Sequence, residues 1–265
     1  MKDADYSLIT ERPGSGVTQE QILRAYQRYH FASLHSQGRD LLEVACGGGI
    51  GLSLLAESAR TVTAIDLDTK NLAQTREIHR GDNRIRIAEG DAQQLPFPDH
   101  NFDVVILFEA IYYLPEPERF LAECRRVLRP GGKIIIGSAN REWRDFNPSL
   151  YSVRYYSTSE LQGLLRKNGF ATEMYRGFPV GANGGPVHAA LSWIKRTAVK
   201  LHLIPKSMRY KKFLKRIFVG RLVPLPGKLA PGSADYLPPV PIEPSDTDRQ
   251  FKVIYAVATL KPVTS

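Results

Sequence analysis

The sequence predicts an open α/β fold, a mostly parallel sheet with helices on both faces. Two observations carry that prediction. From Asp40 to Gly51 a short apolar run (Leu41, Leu42, Val44) enters three consecutive glycines, and an amphipathic segment with Leu52, Leu54, Leu55 and Ala56 follows. This is the pattern of a buried strand, a tight turn and a helix start. Beyond it, β-rich apolar runs alternate with helix-period segments as far as Tyr175, the order that builds a parallel sheet. The chain has 265 residues, 43% hydrophobic and 24% charged, enough to bury a full core and too apolar for wholesale disorder.

Residues 1–16 read as a polar, flexible arm ending in Arg12-Pro13-Gly14-Ser15-Gly16. Thr18 and Gln21 have capping-box spacing for a helix through Ile22, Ala25, Tyr26, Tyr29 and Ala32. After the glycines, Thr61–Asp66 is a β-rich strand ending in an acid, placed to reach ribose hydroxyls at a strand tip. A carboxylate there also repels a 2′-phosphate. Asp68 or Thr69 caps the next helix, Leu72–His79. A third strand, Arg84–Ala88, leads to Gly90-Asp91-Ala92, and a fourth, Phe102–Phe108, delivers Glu109, Ala110, Tyr112 and Tyr113 at its carboxyl end. In open α/β sheets ligands bind at that edge. A helix over Pro115–Leu128, a strand Lys133–Ile136, a capped helix Leu161–Lys167 and a strand Phe170–Tyr175 complete the alternation. Phe251–Ala258 alternates like one more strand.

Glu43-Val44-Ala45-Cys46-Gly47-Gly48-Gly49 resembles motif I of class I S-adenosylmethionine (SAM)-dependent methyltransferases of the small-molecule type, with Ala45 in the place of the first glycine. Gly90-Asp91-Ala92, Leu95-Pro96-Phe97, Phe102-Asp103-Val104-Val105 and Arg126–Ile136 follow in that family's order. The likeness covers about residues 18–175 and 250–262. It implies a Rossmann-like, doubly wound sheet of seven strands, six parallel and the seventh antiparallel, with an insertion between the last two. It implies SAM as cofactor and S-adenosylhomocysteine as product. The cofactor-binding residues it points to are Tyr29, Glu43, Ala45, Cys46, Gly47, Gly49, Asp66, Leu67, Asp91, Ala92 and Phe108, with no metal. Asp91 would accept from the adenine amino group. Glu109, Tyr112 and Tyr113 become the catalytic candidates, where the first serves as base or borders SAM and the tyrosines floor or orient the acceptor. His30 and His35 are further candidates for a base, though each fits a surface or core role better.

Four segments follow: residues 1–39 as arm and lid helix, 40–176 as the SAM-binding core, 177–249 as an inserted substrate cap, and 250–265 as final strand and tail. The net charge of +9 is concentrated in the cap, where eleven Lys and Arg lie between Lys195 and Lys228 and no acid occurs from Met174 through Ala234. Without those eleven the chain would carry a net charge of −2. Three roles suit them: a lid supplying Trp193, Tyr210 or Phe213 to a small-molecule acceptor, a surface that docks on anionic lipid and reaches a lipid-linked acceptor, or an RNA-binding element. RNA ranks last because no RNA-binding module is present. The start has no secretory pattern, the two cysteines have no metal spacing, and no run is long enough to span a membrane. The expectation is a cytoplasmic protein, peripheral to the inner membrane surface if its acceptor is a lipid. Two other classes share some features. A nicotinamide-dependent oxidoreductase would share the turn and Asp66, but the G-x-G-x-x-G spacing is missing here and Gly90-Asp91-Ala92 stays unexplained; a non-catalytic SAM-binding protein would keep every binding residue.

Overall fold

A computed structural model of the chain describes residues 12–149, 151–180, 222–243, 245 and 247–261. The first strands are β1 (Gly16–Val17), β2 (Asp40–Val44), β3 (Thr61–Asp66), β4 (Ile85–Glu89) and β5 (Phe102–Phe108). Then come β6 (Leu128–Ala139), β7 (Phe170–Pro179), β8 (Val223–Pro224), β9 (Val240–Pro241) and β10 (Phe251–Leu260). The helices are α1 (Gln19–His35), α2 (Leu52–Ala56), α3 (Thr69–Ile78), α4 (Pro117–Val127) and α5 (Thr158–Lys167), with a 3₁₀ turn over Ile111–Tyr113.

The main sheet runs β4-β3-β2-β5-β6-β10-β7-β9. β10 is antiparallel to both β6 and β7, so the six strands β2 to β7 share one direction as expected. The sheet has eight strands instead of seven, because Val240 and Pro241 add a short antiparallel edge against Arg176 and Tyr175. Proline donates no ladder hydrogen bond and belongs at such an edge. Side chains alternate across the pleat. Leu41, Val62, Val104 and Ile106 pack with α1 and α2, while Leu42, Val44, Val105 and Leu107 pack with α4 and α5. Glu43 therefore points to the α1 side, among apolar neighbours.

The helix signals form as written. Thr18 and Gln21 make the capping box of α1, Ser157 and Glu160 that of α5, and Asp68 accepts from the amides of Lys70 and Asn71 at the start of α3. The described end of the arm, residues 12–16, differs from its flexible reading. Gly16 and Val17 pair with Pro224 and Val223, and the Arg12 guanidinium reaches Asn71 Oδ1 at 3.0 Å and Asp68 at 3.3 Å. The described part of the cap segment is likewise built into the body. Leu225 and Leu229 are buried, and the Leu229 amide donates to Ile50 O at 2.7 Å. The helices read at 187–219, ten of the eleven cations (Lys228 is the exception), Trp193, Tyr210 and Phe213 lie outside the described residues.

Asp103 explains the Phe-Asp pair of the fourth core strand. Its Oδ2 accepts from the Asp40 amide at 2.8 Å and lies 2.9 Å from Arg129, which also pairs with Asp40 at 3.1 Å. This cluster ties β2, β5 and β6 together at the end opposite the ligand edge. Asp103→Ala strands that amide and is expected to destabilise the fold by about 1–3 kcal/mol. Urea denaturation checks it, and an unchanged midpoint would remove the cluster from the account.

Candidate active site

The ligand edge is shaped by the turn after β2. Three of its residues are in the left-handed region, Ala45 (φ 58°), Gly47 (φ 55°) and Gly49 (φ 64°). An L-residue pays about 1–2 kcal/mol for that conformation, so alanine in place of the first glycine costs backbone energy. The turn is braced from α3. Thr75 Oγ1 donates to Gly47 O at 3.1 Å, and the His79 imidazole meets Gly49 O at 2.9 Å. A Cβ on Gly49 would lie 2.3 Å from Thr75 Cγ2, so glycine is required there by packing as well as by φ.

Asp66 closes the turn from β3. Its Oδ2 accepts from the Gly47 amide at 2.8 Å and its Oδ1 from the Asp68 amide at 2.8 Å. Burial pushes its carboxyl upward, and those two amide hydrogen bonds oppose the shift. Each carboxylate oxygen has acceptor capacity left for a hydroxyl. Leu67, half exposed, forms an apolar lip beside it. From the end of β4, Asp91 accepts from the Gln93 amide at 2.8 Å, which fixes the bend that buries Ala92.

α1 forms the opposite wall. The Tyr29 hydroxyl donates to Glu43 Oε1 at 2.7 Å, and its ring meets Phe108 edge-on at 5.4 Å. The same ring lies over Gly51, where a Cβ would approach it to 2.1 Å. Glu43 is fully buried, which raises its carboxyl to about 7; the Tyr29 hydrogen bond and the nearby Arg28 pull the other way. At the end of β5, Glu109 is also left-handed (φ 52°). It accepts from Tyr112 Oη at 3.0 Å and from Arg24 at 3.4 Å. Tyr112 stacks on Tyr155 at 4.2 Å, and Tyr113 Oη lies 2.6 Å from Ser149 Oγ.

These groups enclose one cleft of about 300 Å³, at the lower bound for small-molecule sites. It brings together Tyr29, Ala45, Cys46, Gly47, Asp66, Leu67, Asp91, Ala92, Phe108, Glu109, Tyr112 and Tyr113. Two sequence-selected residues do not line it. Glu43 sits behind Tyr29, because its alternation places it beneath α1, and Gly49 faces Thr75. His30 packs on Tyr236 and His35 on Phe31, both away from the cleft. The sequence reading missed Gln21 and Arg24, which line it beside Arg28. Their helical spacing puts all three on one face of α1, but spacing alone does not say which face meets the sheet edge.

Residues 42–136 match the family model of a methyltransferase domain. A probable S-adenosylmethionine-dependent methyltransferase of Mycolicibacterium smegmatis is 38% identical over 140 residues, 51% of this chain and 53% of that protein. Residues 42–136 are thus similar to methyltransferase domains, and this relative is named as S-adenosylmethionine-dependent. A fatty-acid O-methyltransferase of the same organism is 36% identical over 151 residues, 52% of this chain and 55% of the relative. The chain thus spans about half the length of these curated relatives. Among solved structures, a Thermotoga maritima protein described as a SAM-dependent methyltransferase, possible histamine N-methyltransferase, aligns with a TM-score of 0.57 at 16% identity. That alignment covers 91% of this chain and 92% of the other, and it shows the shared fold.

The cofactor of such a domain is SAM, and the donor set fits it. Asp66 and Asp91 present carboxylates to a group rich in hydroxyl and amino donors, Leu67 and Ala92 give apolar surface for a ring, and the left-handed turn brings backbone close.

Glu43 supplies a pH test. Its ordinary value of 4.5 is raised to about 7 in the fold, so the protonated form is favoured. Its contribution to stability is fully present below about pH 4.5 and is lost as pH rises through 7. The expected loss is on the order of 3 kcal/mol. Glu43→Gln should flatten that part of the wild-type profile in denaturation runs from pH 4.5 to 8. An identical slope in both proteins would contradict the assignment.

Proposed function

We propose that this protein transfers the methyl group of SAM to an oxygen nucleophile of a small-molecule acceptor held at Glu109, Tyr112 and Tyr113. The observation that carries this reading is the convergence of the ends of β2, β3, β4 and β5 on one cleft. Acids for a nucleoside stand at one end, and an aromatic, ion-paired wall stands at the other. The likeness to a fatty-acid O-methyltransferase supports oxygen as the attacked atom.

Bound SAM supplies a sulfonium methyl carbon open to in-line attack. The chain's own contribution is to hold the nucleophile on that line and keep water away, which reduces the entropic part of the barrier. Asp66 and Asp91 orient the nucleoside end, and Phe108 and Tyr29 wall the methionine end. Tyr112, fixed by its hydrogen bond to Glu109 and its stack on Tyr155, sets the depth to which an acceptor enters. Glu109 takes up the proton of a hydroxyl acceptor or passes it to solvent, and the Arg24 contact holds its carboxylate toward the cleft.

Calorimetric titration with S-adenosylhomocysteine tests the cofactor half of the reading. Asp66→Ala and Asp91→Ala should each weaken binding by about 1–3 kcal/mol, roughly 5- to 150-fold. Unchanged affinity in both variants would refute the site. Binding of NAD in place of S-adenosylhomocysteine would refute the function.

A further inference from the structure

Arg12 stands at the head of a tight turn in the arm before α1. The Ser15 amide donates to Arg12 O at 3.0 Å across Pro13 and Gly14, and Gly14 has φ 80°. That is the form of a type II turn, with proline second and glycine third. Ser15 Oγ donates to the same carbonyl at 2.6 Å. The turn is tied to the cap segment, since the Gly14 amide donates to Leu225 O at 2.9 Å and the Leu225 amide donates back to Ser15 O at 2.8 Å. Leu225 is buried, so the turn that carries Arg12 is anchored on the body of the protein.

The guanidinium reaches the start of α3. Its Nε donates to Asn71 Oδ1 at 3.0 Å, and its Nη2 lies 3.3 Å from Asp68 Oδ2. Asn71 is 1% exposed, and its side-chain amide hydrogen-bonds the Asp66 carboxylate. The two ends of an asparagine amide are chemically distinct, one an acceptor and the other a donor, whereas arginine only donates. Arg12 therefore requires the amide oxygen on its own side and leaves the Nδ2 donors for Asp66. It also sets a cation beside Asp68, whose negative charge works against a charged Asp66. Asp66 lines the cleft, and Arg12, Asp68 and Asn71 stand behind it.

We propose that Arg12 is a positioning residue for the cofactor, which acts through Asn71 to hold Asp66 as a hydrogen-bond acceptor for the ribose hydroxyls. The proposal rests on the SAM-binding reading of the cleft and extends it to a residue outside the cleft. Three donors fix the Asp66 carboxylate, the amides of Gly47 and Asp68 and the Asn71 side chain. The first two are backbone groups set by the fold. The third depends on which way the Asn71 amide is turned. Turned over, it would set oxygen against oxygen at Asp66, and the carboxylate would lose that donor. The effect of Arg12 is then specific to the hydroxyls, because the adenine and the methionine end of the ligand are assigned to other residues.

The test is calorimetric titration of the full chain with S-adenosylhomocysteine and with its 2′,3′-dideoxy analogue. Arg12→Ala should weaken S-adenosylhomocysteine binding about fivefold, the worth of one hydrogen bond, and leave binding of the weaker dideoxy analogue unchanged. Arg12→Lys, which keeps a charged donor, should restore most of that loss. Asn71→Leu should weaken S-adenosylhomocysteine binding as well, and Arg12→Ala should add no further loss in its background. The proposal is overturned if Arg12→Ala binds S-adenosylhomocysteine as wild type does, or if the two substitutions add in full. It is also overturned if Arg12→Ala weakens both ligands equally, which would mark a general loosening of the glycine turn. Should Asn71→Leu not fold, the two ligands against Arg12→Ala and the rescue by lysine decide alone. Failure of S-adenosylhomocysteine to bind the wild-type chain would instead strike the SAM-binding reading beneath the proposal.

Discussion

Glu43 is a carboxyl group buried among apolar side chains, and the rest of the site depends on how that burial is resolved. Its Oε1 is met by Tyr29 Oη from α1, while its Oε2 has no hydrogen-bond partner. A half-satisfied buried carboxyl is costly, so the Tyr29 contact is strongly preferred and α1 is held at one distance from the sheet. Gly51 makes the contact possible, since any side chain there would meet the ring. Tyr29 consequently spans β2, the start of α2 and Phe108 of β5. The arginines one and five positions before it are carried to the cleft with it.

That geometry sorts the charges of the cleft. The sheet contributes acids at the strand ends, Asp66, Asp91 and Glu109, and α1 contributes the cations Arg24 and Arg28. The acids at β3 and β4 are committed to backbone amides that shape the turn and the bend, so the same groups define the cleft and present themselves to a ligand. Glu109 is held between a helix arginine and a tyrosine hydroxyl instead. The two ends of the cleft therefore differ in rigidity. Backbone hydrogen bonds fix the nucleoside end, and side-chain contacts that an acceptor can exchange form the other.

The strand ends were legible because each signal is local. Asp66 and Asp91 follow short β-rich runs, the three glycines announce a turn, and Thr18, Asp68 and Ser157 carry their caps within three residues. What was not legible is long-range or too short to have a period. The pairing of Gly16–Val17 with Val223–Pro224 involves two residues a side, with no alternation to read. The edge pair at Val240–Pro241 hid in a proline-rich run. Glu43 was read as a cofactor ligand because motif position does not reveal which face of β2 receives α1. Arg24 escaped notice for the same reason. Ala45 stands in the place of the first glycine, and only its φ of 58° shows the backbone cost.

α1 and the glycine turn form one unit, closed by Tyr29 and completed by the cofactor. Hydrogen–deuterium exchange with and without S-adenosylhomocysteine tests this most directly. Added protection is expected at residues 45–52, 66–68 and 90–92, and in α1 around Tyr29, with little change in β7 and β10. Protection confined to other elements, or none at saturating ligand, would contradict it.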